Sequence, residues 1–377
     1  MSACFAFRML AATLPALVLA SGAARAQTPV YIDSPFLLFD MSENLTAAVE
    51  LADIDGDGDL DVLAANGRHW AQQDFAFLNI GNGRLLEALP VGDAMGASYA
   101  IRTGDLDGDG DLDAAVARDS LPALVFHNDG QGRFALAGSL EGSGGAVRAA
   151  LLQDLDGDGW PDLVLARRRG ANLLFRGDGE GGFGPAGELP GALDGSTGVA
   201  IADLDQDGDP DLVFACRDGN ASYVLLNEGE ARFVPAALAG SEGDHRQVVA
   251  ADFTGDGALD IIFAATDGTN ALYRGDGSGA FGSSLTIGEA GRAVQSLAAA
   301  DLDGDGDIDL IEGAGEQPNR IYWNDGGQGF TAIELQDGAE DTYGVAIGDL
   351  NGDGLPDLVF ANSGSPNRVM IARLPRE

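Results

Sequence analysis

One nine-residue acidic string recurs along the chain and constrains its fold more than any other feature. The string has the form DxDxDGxxD, and its copies begin at the Asp residues numbered 53, 105, 154, 203, 252, 301 and 349. The intervals between copies are 52, 49, 49, 49, 49 and 48 residues. Such a regular period indicates a repeat architecture in which each copy contributes one structural unit.

Oxygen-bearing side chains occupy positions one, three, five and nine of every copy, and position seven offers a backbone carbonyl. The predicted ligands are Asp53, Asp55, Asp57, Asp59 and Asp61; Asp105, Asp107, Asp109, Asp111 and Asp113; Asp154, Asp156, Asp158, Trp160 and Asp162; Asp203, Asp205, Asp207, Asp209 and Asp211; Asp252, Thr254, Asp256, Ala258 and Asp260; Asp301, Asp303, Asp305, Asp307 and Asp309; and Asp349, Asn351, Asp353, Leu355 and Asp357. Thr254 and Asn351 replace Asp at position three, so a ligand oxygen is kept in both copies.

Carboxylates that converge within nine residues repel one another, because two unit charges about 4 Å apart interact by roughly 4 kcal/mol at an effective dielectric near 20. A hard divalent cation removes this repulsion. Ca²⁺ accepts six to eight oxygen ligands in flexible geometry, whereas Mg²⁺ requires a tighter octahedron and keeps its waters. The sequence therefore predicts up to seven Ca²⁺ ions, one per repeat. Glycine at position six, such as Gly58, permits the turn that brings the acids together.

The nearest alternative is an EF-hand, which begins with the same DxDxDG pattern. An EF-hand requires a bidentate Glu at position twelve and a helix on each side of the loop. Here position twelve is apolar, as at Ala64, Val116 and Leu165, and the flanking segments are strand-like. An acidic turn without metal is the other alternative, and it explains one copy more readily than seven.

Short apolar runs flank the acidic loops. Residues 199–202 precede one loop, residues 212–215 follow it, and a third run such as residues 172–175 comes later in the period. A fourth run is predicted to begin with Phe134, Phe183, Phe233, Phe281 or Phe330. Apolar runs of this length, bounded by Gly and Asp, are typical of buried strands. Four strands per period predict an all-β chain that forms a seven-bladed β-propeller with four-stranded blades.

The two ends of the chain predict how the ring closes. The last copy lacks a fourth strand, whereas residues 35–39 form a surplus apolar run before the first copy. This N-terminal run is predicted to be the outer strand of the seventh blade, because the blade would otherwise keep an open edge. Residues 27–377 are therefore predicted to form one domain.

Residues 1–26 differ in composition from the repeats. An apolar run follows Arg8, and Ala24 and Ala26 provide small residues before Gln27. This arrangement is typical of a cleaved signal peptide, so we expect a secreted or periplasmic protein. A membrane anchor is the alternative, although the apolar run is too short to span a bilayer comfortably. The mature chain then holds a single Cys, Cys216, and no internal disulfide.

The DxDxDGxxD loop between two strands, followed by a turn such as Asn324-Asp325-Gly326 and a Phe, resembles the FG-GAP and VCBS repeats of integrin-like bacterial propellers. The resemblance covers nearly all of residues 27–377. It implies Ca²⁺ in the loop that joins the first and second strands of each blade. It also implies a secreted adhesion or recognition module or, as in a few members, a carbohydrate-active enzyme.

A ligand surface is predicted on the face opposite the acidic loops. The loops between second and third strands carry much of the basic charge, and successive blades would place them side by side. The candidates are Arg68, His69, Trp70, Arg118, Arg167, Arg168, Arg169 and Arg217. They could bind an acidic saccharide or a protein carboxylate, or they could be solvated charges that balance nearby Asp. The connections between blades add weaker candidates: Tyr99, Asp244, His245, Arg246 and Tyr343.

Charge and motifs narrow the class of partner. The chain has 60 acidic and 21 basic residues, a formal net charge of −39, and this argues against nucleic acid or insertion into an anionic membrane.

All basic residues are Arg, which excludes lysine-nucleophile chemistry. No nucleophile elbow or HExxH motif is present, and His127 has no evident partner in the sequence. The sequence favours a binding or adhesion module for protein or saccharide over a carbohydrate-active enzyme of the polysaccharide lyase or dehydratase type.

Two Arg-Gly-Asp strings, at residues 176–178 and 274–276, suggest an adhesion ligand. Alignment of the repeats places both strings at the turn between third and fourth strands, where other blades have Asn128 or Asn324. We therefore interpret the two strings as variants of that turn.

Overall fold

The structure, a computed structural model, describes residues 27–33, 39–40, 42–191, 193–266, 269–326 and 329–375. These residues form 28 strands, which assemble into seven antiparallel sheets of four strands each. Within them there is no helix with the length and apolar character needed to cross a membrane. The predicted signal peptide, residues 1–26, lies outside the described residues. The prediction of an all-β, seven-bladed propeller is confirmed.

The innermost strand of each blade is the segment that precedes an acidic loop. Ala and Gly recur in these strands, which allows seven of them to crowd around one axis. The innermost strands are β2 (Thr46–Ala52), β6 (Ser98–Gly104), β10 (Val147–Gln153), β14 (Ser196–Ala202), β18 (His245–Ala251), β22 (Val294–Ala300) and β26 (Thr342–Gly348). Successive innermost strands pack against one another, and β2 packs against β26, so the ring is closed.

The second strand of each blade follows the acidic loop and is buried on both faces. The second strands are β3 (Asp61–Asn66), β7 (Asp113–Arg118), β11 (Asp162–Arg167), β15 (Asp211–Cys216), β19 (Asp260–Ala265), β23 (Asp309–Ala314) and β27 (Asp357–Asn362). In β15, Leu212 and Phe214 pack toward the third blade, whereas Val213 and Ala215 pack toward the fifth. A strand covered on both sides needs a continuous apolar run, which explains the unbroken hydrophobic segments in the sequence.

The third strands complete the buried part of each blade. They are β4 (Phe75–Asn79), β8 (Leu124–Asn128), β12 (Leu173–Phe175), β16 (Ala221–Asn227), β20 (Asn270–Tyr273), β24 (Arg320–Asn324) and β28 (Arg368–Arg373). The fourth strands are more exposed, and in the first six blades they are β5 (Leu85–Pro90), β9 (Phe134–Ser139), β13 (Gly187–Glu188), β17 (Phe233–Glu242), β21 (Leu285–Ile287) and β25 (Phe330–Glu334).

Two of the predicted starts of fourth strands are wrong. Phe183 and Phe281 do not begin β13 and β21; each forms an isolated bridge, with Gly177 and Gly275 respectively. Both blades carry Gly in place of Asn at the end of the third strand, and the chain leaves the regular ladder there. In both blades the fourth strand begins only a few residues after the Phe and is short.

An N-terminal strand closes the seventh blade, as predicted, but different residues form it. The blade has the order β1-β28-β27-β26, and β1 is Val30–Asp33. Of the predicted segment, residues 35–38 lie outside the described residues, and Phe39 is 1% exposed and packs edge-on against Phe77. An outer strand is half solvated, so the alternating exposure of β1 suits it better than an apolar run.

Asparagine side chains link neighbouring blades at the face of the acidic loops. In four blades the third strand ends in Asn, and its Nδ2 donates to the carbonyl of position two in the acidic loop of the preceding blade. These bonds are Asn79 to Leu350 (2.8 Å), Asn128 to Ile54 (2.7 Å), Asn227 to Leu155 (2.9 Å) and Asn324 to Phe253 (2.9 Å). Each of these Nδ2 atoms also donates to the backbone carbonyl of position eight in the acidic loop of its own blade. One side chain thus joins two acidic loops across a blade boundary.

Asn227→Ala is expected to lower the free energy of unfolding by about 1–3 kcal/mol, because the buried carbonyl of Leu155 and the partly buried carbonyl of Pro210 lose this donor. For a chain of this size the loss corresponds to a fall of about 1–4 °C in Tm. Thermal unfolding followed by circular dichroism checks the value. Glu228→Ala changes the exposed neighbouring side chain and serves as the control. Equal melting temperatures for both variants and the native protein would contradict the inter-blade role of Asn227.

Candidate functional site

Each acidic loop joins the innermost strand to the second strand of its blade, so the loops lie together on one face of the propeller. In the first loop, the two carboxylate oxygens of Asp53 accept hydrogen bonds from the backbone N–H groups of Gly56 (2.8 Å) and Gly58 (3.0 Å). The loops that begin at residues 105, 154, 252, 301 and 349 make the same pair of bonds. The backbone therefore orients the first carboxylate of the loop.

Two left-handed residues shape each loop. In the first loop they are Gly56 (φ 74°) and Gly58 (φ 96°), at positions four and six. The sequence pattern indicated the need for Gly at position six, and the structure shows the same need at position four. Gln206 is the exception at position four and adopts φ 62° without being Gly.

Position nine of every loop is a buried Asp that begins the second strand. Asp61 accepts hydrogen bonds from the backbone N–H of Ile54 (2.9 Å) and of Asn79 (2.7 Å), and both bonds recur in the other blades. This carboxylate therefore ties the loop to the third strand. Its second role was not evident from the repeat pattern, which indicated only a metal ligand.

Burial raises the pKa of the position-nine carboxyl groups, although backbone hydrogen bonds and neighbouring charges also act on them. The pKa is raised to about 6 at Asp61, Asp162, Asp211 and Asp357, to about 7 at Asp309, and is also raised at Asp113 and Asp260. Each loop thus contains a carboxylate whose charge is poorly solvated. A bound cation would supply the missing stabilisation.

The loop oxygens converge as a cation site requires. In the first loop, one carboxylate oxygen from each of Asp53, Asp55 and Asp57 lies within 4.8 Å of the other two. The same holds for positions one, three and five of the second loop, and for positions one, three and nine of the third and fourth loops. The donors of these four groups are all oxygens, which suits Ca²⁺ and Mg²⁺ and not softer metals. In the second loop, a ring nitrogen of His127 also lies within 4.8 Å of oxygens of Asp107 and Asp113. The residues therefore fit a hard divalent cation, which would neutralise the loop when bound.

Basic side chains contact two of the loops at position three. His127 Nδ1 lies 3.8 Å from Asp107 Oδ2, while His127 Nε2 lies 2.9 Å from the carbonyl of Gly181. Arg176 Nη1 contacts Asp156 Oδ2. His127 therefore has partners that the sequence did not reveal.

The Arg-Gly-Asp strings belong to the turns between third and fourth strands. The N–H of Gly177 donates to the position-nine carboxylate Asp162 (2.9 Å), and that of Gly275 donates to Asp260 (3.0 Å). A Cβ on Gly177 would lie 2.6 Å from the carbonyl of Pro161, and one on Gly275 would lie 2.1 Å from a backbone carbonyl. The glycine of each string is therefore required by close backbone approach, as a turn variant requires.

An axial channel opens on the face opposite the acidic loops and encloses about 400 Å³. Its mouth is formed where the innermost strands begin, and each of them has a β-bulge at its second residue. A bulge breaks the regular alternation and re-aims a side chain. The bulged residues all line the channel and are called the mouth ring below: Ala47, Tyr99, Arg148, Thr197, Arg246, Gln295 and Tyr343.

Four of the eight predicted ligand-face residues meet at this mouth. His69, Arg168 and Arg217 line the channel, and the guanidinium carbon of Arg68 lies 3.6 Å from the ring centre of Tyr343. Trp70, 71% exposed, and the exposed Arg169 lie in the same set of loops but do not line the channel.

Arg118 and Arg167 do not join this group. Arg118 is 8% exposed, and its Nε donates to the carbonyl of Pro122 (2.8 Å). Arg167 Nε donates to the carbonyl of Ala171 (2.5 Å). Both guanidinium groups hold the loop that follows their own strand, so they are used structurally.

Arg148 and Gln295 were not among the ligand-face residues predicted from the sequence, and Arg246 was only a weaker candidate. A signal for them was present, because every mouth-ring residue lies six positions before the first Asp of an acidic loop. The ring therefore recurs with the same intervals as the loops. Its members share no residue type, so the position is visible only after the repeats have been aligned.

Comparison with solved structures supports the fold. BP39L, a lectin from Burkholderia pseudomallei, is 14% identical with a TM-score of 0.69, over 87% of this chain and 96% of that chain. A lectin of Agrocybe aegerita, described as recognising non-reducing terminal N-acetylglucosamine, is 22% identical with a TM-score of 0.59, over 86% of each chain. BBS1N, solved in complex with ARL6DN, is 15% identical with a TM-score of 0.63, over 93% of this chain and 98% of that chain. At such identities the likeness shows the fold alone.

Sequence comparison identifies the repeats. No curated protein sequence matches the chain. A family model described as FG-GAP-like repeat matches residues 53–116, 154–214, 203–263, 252–312 and 313–360, which together make up more than half of the chain. The matched segments contain acidic loops and the strands around them. The chain belongs to the FG-GAP-like repeat family.

Proposed function

We propose that the protein is an exported Ca²⁺-binding β-propeller that acts as a binding or adhesion module for a saccharide or a protein. The observation that carries the proposal is the acidic loop, repeated seven times with oxygen donors held in place by backbone hydrogen bonds. The signal-like sequence of residues 1–26 supports the proposed export. N-terminal sequencing of the secreted protein tests it, and the sequence should begin at Gln27.

The proposed role of Ca²⁺ is structural. Each ion would link the end of an innermost strand to the start of the second strand, and the inter-blade Asn side chains would extend that link to the neighbouring loop. The one Cys among the described residues, Cys216, is buried and free, so no disulfide stabilises this part of the chain. Metal binding to the folded state then contributes directly to folding.

The proposed recognition role draws on two observations. Two of the solved propellers of similar fold are lectins, and BBS1N was solved in complex with ARL6DN. In this chain, the channel mouth brings cations and aromatic rings together on the face away from the metal loops. A binding surface separate from the structural metal sites is therefore supported.

Calorimetric titration of chelator-treated protein with Ca²⁺ is expected to show up to seven bound ions. The double variant Asp205→Asn and Asp207→Asn is expected to bind one ion fewer, because one loop loses two of its carboxylates at unchanged side-chain size. Asp93→Asn with Asp129→Asn removes two exposed carboxylates outside the loops and should leave the stoichiometry unchanged. The same stoichiometry in both double variants would contradict the assignment of the loop.

A saccharide array probed with the Ca²⁺-loaded protein tests the recognition role. Retention on a defined saccharide supports the lectin-like form of the proposal. Retention on none of the saccharides would refute that form and would leave the Ca²⁺ assignment to be judged by the titration.

A carbohydrate-active enzyme is the second candidate, because one possible acid–base pair lies at the channel mouth. Both ring nitrogens of His69 lie within 3.2 Å of the Tyr99 hydroxyl, and His69 Nδ1 lies 3.5 Å from Asp119 Oδ2. Such groups can transfer protons to or from a substrate. Turnover of a polysaccharide that His69→Ala abolishes would establish this candidate and overturn the non-enzymatic proposal.

A further inference from the structure

The channel mouth concentrates positive charge in a strongly acidic chain. Arg148 and Arg246 belong to the mouth ring, and Arg68, Arg168 and Arg217 reach it from the loops between second and third strands. The formal net charge of the whole chain is −39. A local cluster of cations in such a field attracts an anion only if the cations are not already neutralised by nearby carboxylates.

Four of these arginines have carboxylate neighbours. The pairs are Arg68 with Asp341 (3.7 Å), Arg148 with Asp119 (3.1 Å), Arg168 with Asp218 (2.5 Å) and Arg217 with Asp244 (3.5 Å). Among these four pairs, only Arg168 forms two short hydrogen bonds with its carboxylate, from Nε (2.8 Å) and from Nη2 (2.5 Å) to Asp218. Among the residues that the structure describes, no carboxylate lies within 4.0 Å of the Arg246 guanidinium. Arg246 is therefore the cation of the mouth whose charge is not paired.

Four of the buried hydrogen-bonding atoms that lack a partner belong to residues at this mouth. The Nε atoms of Arg68, Arg217 and Arg246 and the Oε1 atom of Gln295 are buried and have no hydrogen-bond partner among the described residues. Buried polar groups are nearly always paired in folded proteins, and each exception needs an explanation. Arg217, Arg246 and Gln295 line the channel, so a ligand that accepts hydrogen bonds from the two Nε atoms and donates one to the Gln295 oxygen would explain these exceptions.

Aromatic rings hold the guanidinium groups in place. The guanidinium carbons of Arg68 and Arg246 lie 3.6 and 4.6 Å from the ring centre of Tyr343, and that of Arg148 lies 4.4 Å from the ring centre of Tyr99. Cation–π contacts of this kind fix the plane of the guanidinium group. A planar anion therefore meets donors that are already oriented, and little side-chain entropy is lost when it binds.

We propose that the mouth of the axial channel binds the carboxylate of an acidic oligosaccharide, with Arg246 as its main ligand. The inference deepens the proposed function, on which it rests. A uronate carboxylate is planar and matches the two-pronged donor geometry of Arg. A neutral sugar would leave the Arg246 charge unpaired.

The saccharide part of the ligand is supported by the surroundings of the mouth. The channel volume of about 400 Å³ lies within the range of small-ligand sites. Trp70, which is 71% exposed, directly follows His69, a residue that lines the channel. A pyranose has an apolar C–H face and polar edges, so it suits an exposed aromatic ring beside hydrogen-bond donors. One sugar would place its carboxylate in the mouth, and the next would lie toward Trp70.

Binding of trigalacturonate to the Ca²⁺-loaded protein, measured by titration calorimetry, tests the proposal. Arg246→Gln is expected to weaken binding by about 10- to 100-fold, because a charge-assisted hydrogen bond is lost. Its Tm should be unchanged or higher, because an unpaired buried cation has been removed. Arg133→Gln removes an exposed cation on the opposite face, in the turn between β8 and β9, and is expected to keep the native affinity.

Ligand controls distinguish the class of anion. The methyl ester of trigalacturonate keeps the sugar and lacks the charge, so it is expected to bind at least about 10-fold more weakly. Triglutamate has a similar charge without the sugar and is also expected to bind weakly. Equal binding of triglutamate would overturn the saccharide assignment, and equal binding of the methyl ester would overturn the role of the carboxylate.

Further outcomes separate this inference from the proposed function. Trigalacturonate binding that Arg246→Gln leaves intact would overturn the site. Failure of trigalacturonate, trimannuronate and a glucuronate-containing tetrasaccharide to bind would overturn the ligand class. In both cases, retention of other saccharides on the array would leave the binding-module function standing. Loss of all saccharide binding, including on the array, would refute both this inference and the lectin-like form of the proposed function.

Discussion

Excess chelator is expected to lower the Tm of the protein by more than about 20 °C, and added Ca²⁺ is expected to restore it. A ligand that binds only the folded state stabilises it by about 2.7 kcal/mol per site when its free concentration is about 100-fold above its dissociation constant. Seven such sites together contribute more than about 15 kcal/mol, and each kcal/mol corresponds to roughly 1.4 °C in a chain of about 350 residues, because the entropy of unfolding is about 2.1 cal/mol/K per residue.

The acidic loops also destabilise the metal-free protein. Position-nine carboxyl groups are buried in each loop, and burial raises their pKa, so their ionised forms are poorly solvated without a cation. Thermal unfolding by circular dichroism or calorimetry, in chelator and then with Ca²⁺ returned, measures the effect. Mg²⁺ serves as the ionic control and should restore less of the Tm, because it demands octahedral geometry and keeps its waters. A melting curve that excess chelator does not move would refute the account of the loops.

Asp74→Asn is expected to stabilise the protein at pH 8 by about 2–4 kcal/mol. Asp74 is 3% exposed, and its oxygens accept hydrogen bonds from the N–H of Asn66 (2.7 Å) and the hydroxyl of Ser98 (2.7 Å). Burial nevertheless raises the pKa of Asp74 to about 7, because two hydrogen bonds and the more distant Arg118 do not replace the lost solvation. The ionised side chain therefore destabilises the folded state at neutral and alkaline pH.

The sign of the pH dependence follows from this raised pKa. The folded protein holds the proton of Asp74 more tightly than the unfolded chain does. Unfolding therefore releases a proton between about pH 4 and pH 7, and the free energy of unfolding falls as the pH rises through that window. Asn has no such proton. The difference between the variant and the native protein should be smallest near pH 4 and reach its full value above about pH 7.

Four other blades have Asn at the position that corresponds to Asp74. Asn172, Asn270, Asn319 and Asn367 each accept a hydrogen bond from the backbone N–H at or near the end of the second strand. In the third blade, Asn172 Nδ2 donates to the hydroxyl of Ser196 (2.9 Å), which corresponds to Ser98. The amide introduced by Asp74→Asn therefore has a donor and an acceptor in the positions it requires.

Chemical denaturation from pH 4.5 to pH 8 in saturating Ca²⁺ measures this effect. Because the variant is compared with the native protein at each pH, the contribution of the acidic loops cancels. Asn172→Asp is the matched reverse exchange and should introduce the same pH dependence in the third blade. A stability difference that does not vary with pH would contradict the assignment to Asp74.

Most of the architecture could be predicted because it depends on local chemistry. The acidic loop is recognisable from its own nine residues. The strand on either side of it has an apolar or alternating sequence that matches its burial. The errors occur where burial depends on a distant part of the chain. Phe39 was assigned to the outer strand because it is apolar, yet it packs between the first and seventh blades against Phe77. Phe183 follows a turn in which Gly177 replaces Asn, and the third strand ends early there.

The arrangement of the candidate ligand surface was predicted less well than the position of the acidic loops, for a physical reason. Arg118 is the last residue of its second strand, whereas Arg168 directly follows the last residue of its own, and the position equivalent to Arg118 is occupied by Arg167. Arg118 turns inward to the carbonyl of Pro122, whereas Arg168 faces the channel and pairs with Asp218. Which way an Arg turns depends on the loop that follows it and on the neighbouring blade, and the residue type carries no information about either.

The sequence by itself therefore determined the number of blades, the acidic loops and the face on which they gather. The repeat period and the acidic motif can be recognised in each repeat without knowledge of the other repeats' positions in space. Only the tertiary structure decided what the opposite face contains. The mouth-ring residues are about 50 positions apart and differ in type, and they meet only when β2 packs against β26 and the ring closes. Convergence of residues from seven separate blades is a property of the closed ring, so no single repeat contains it.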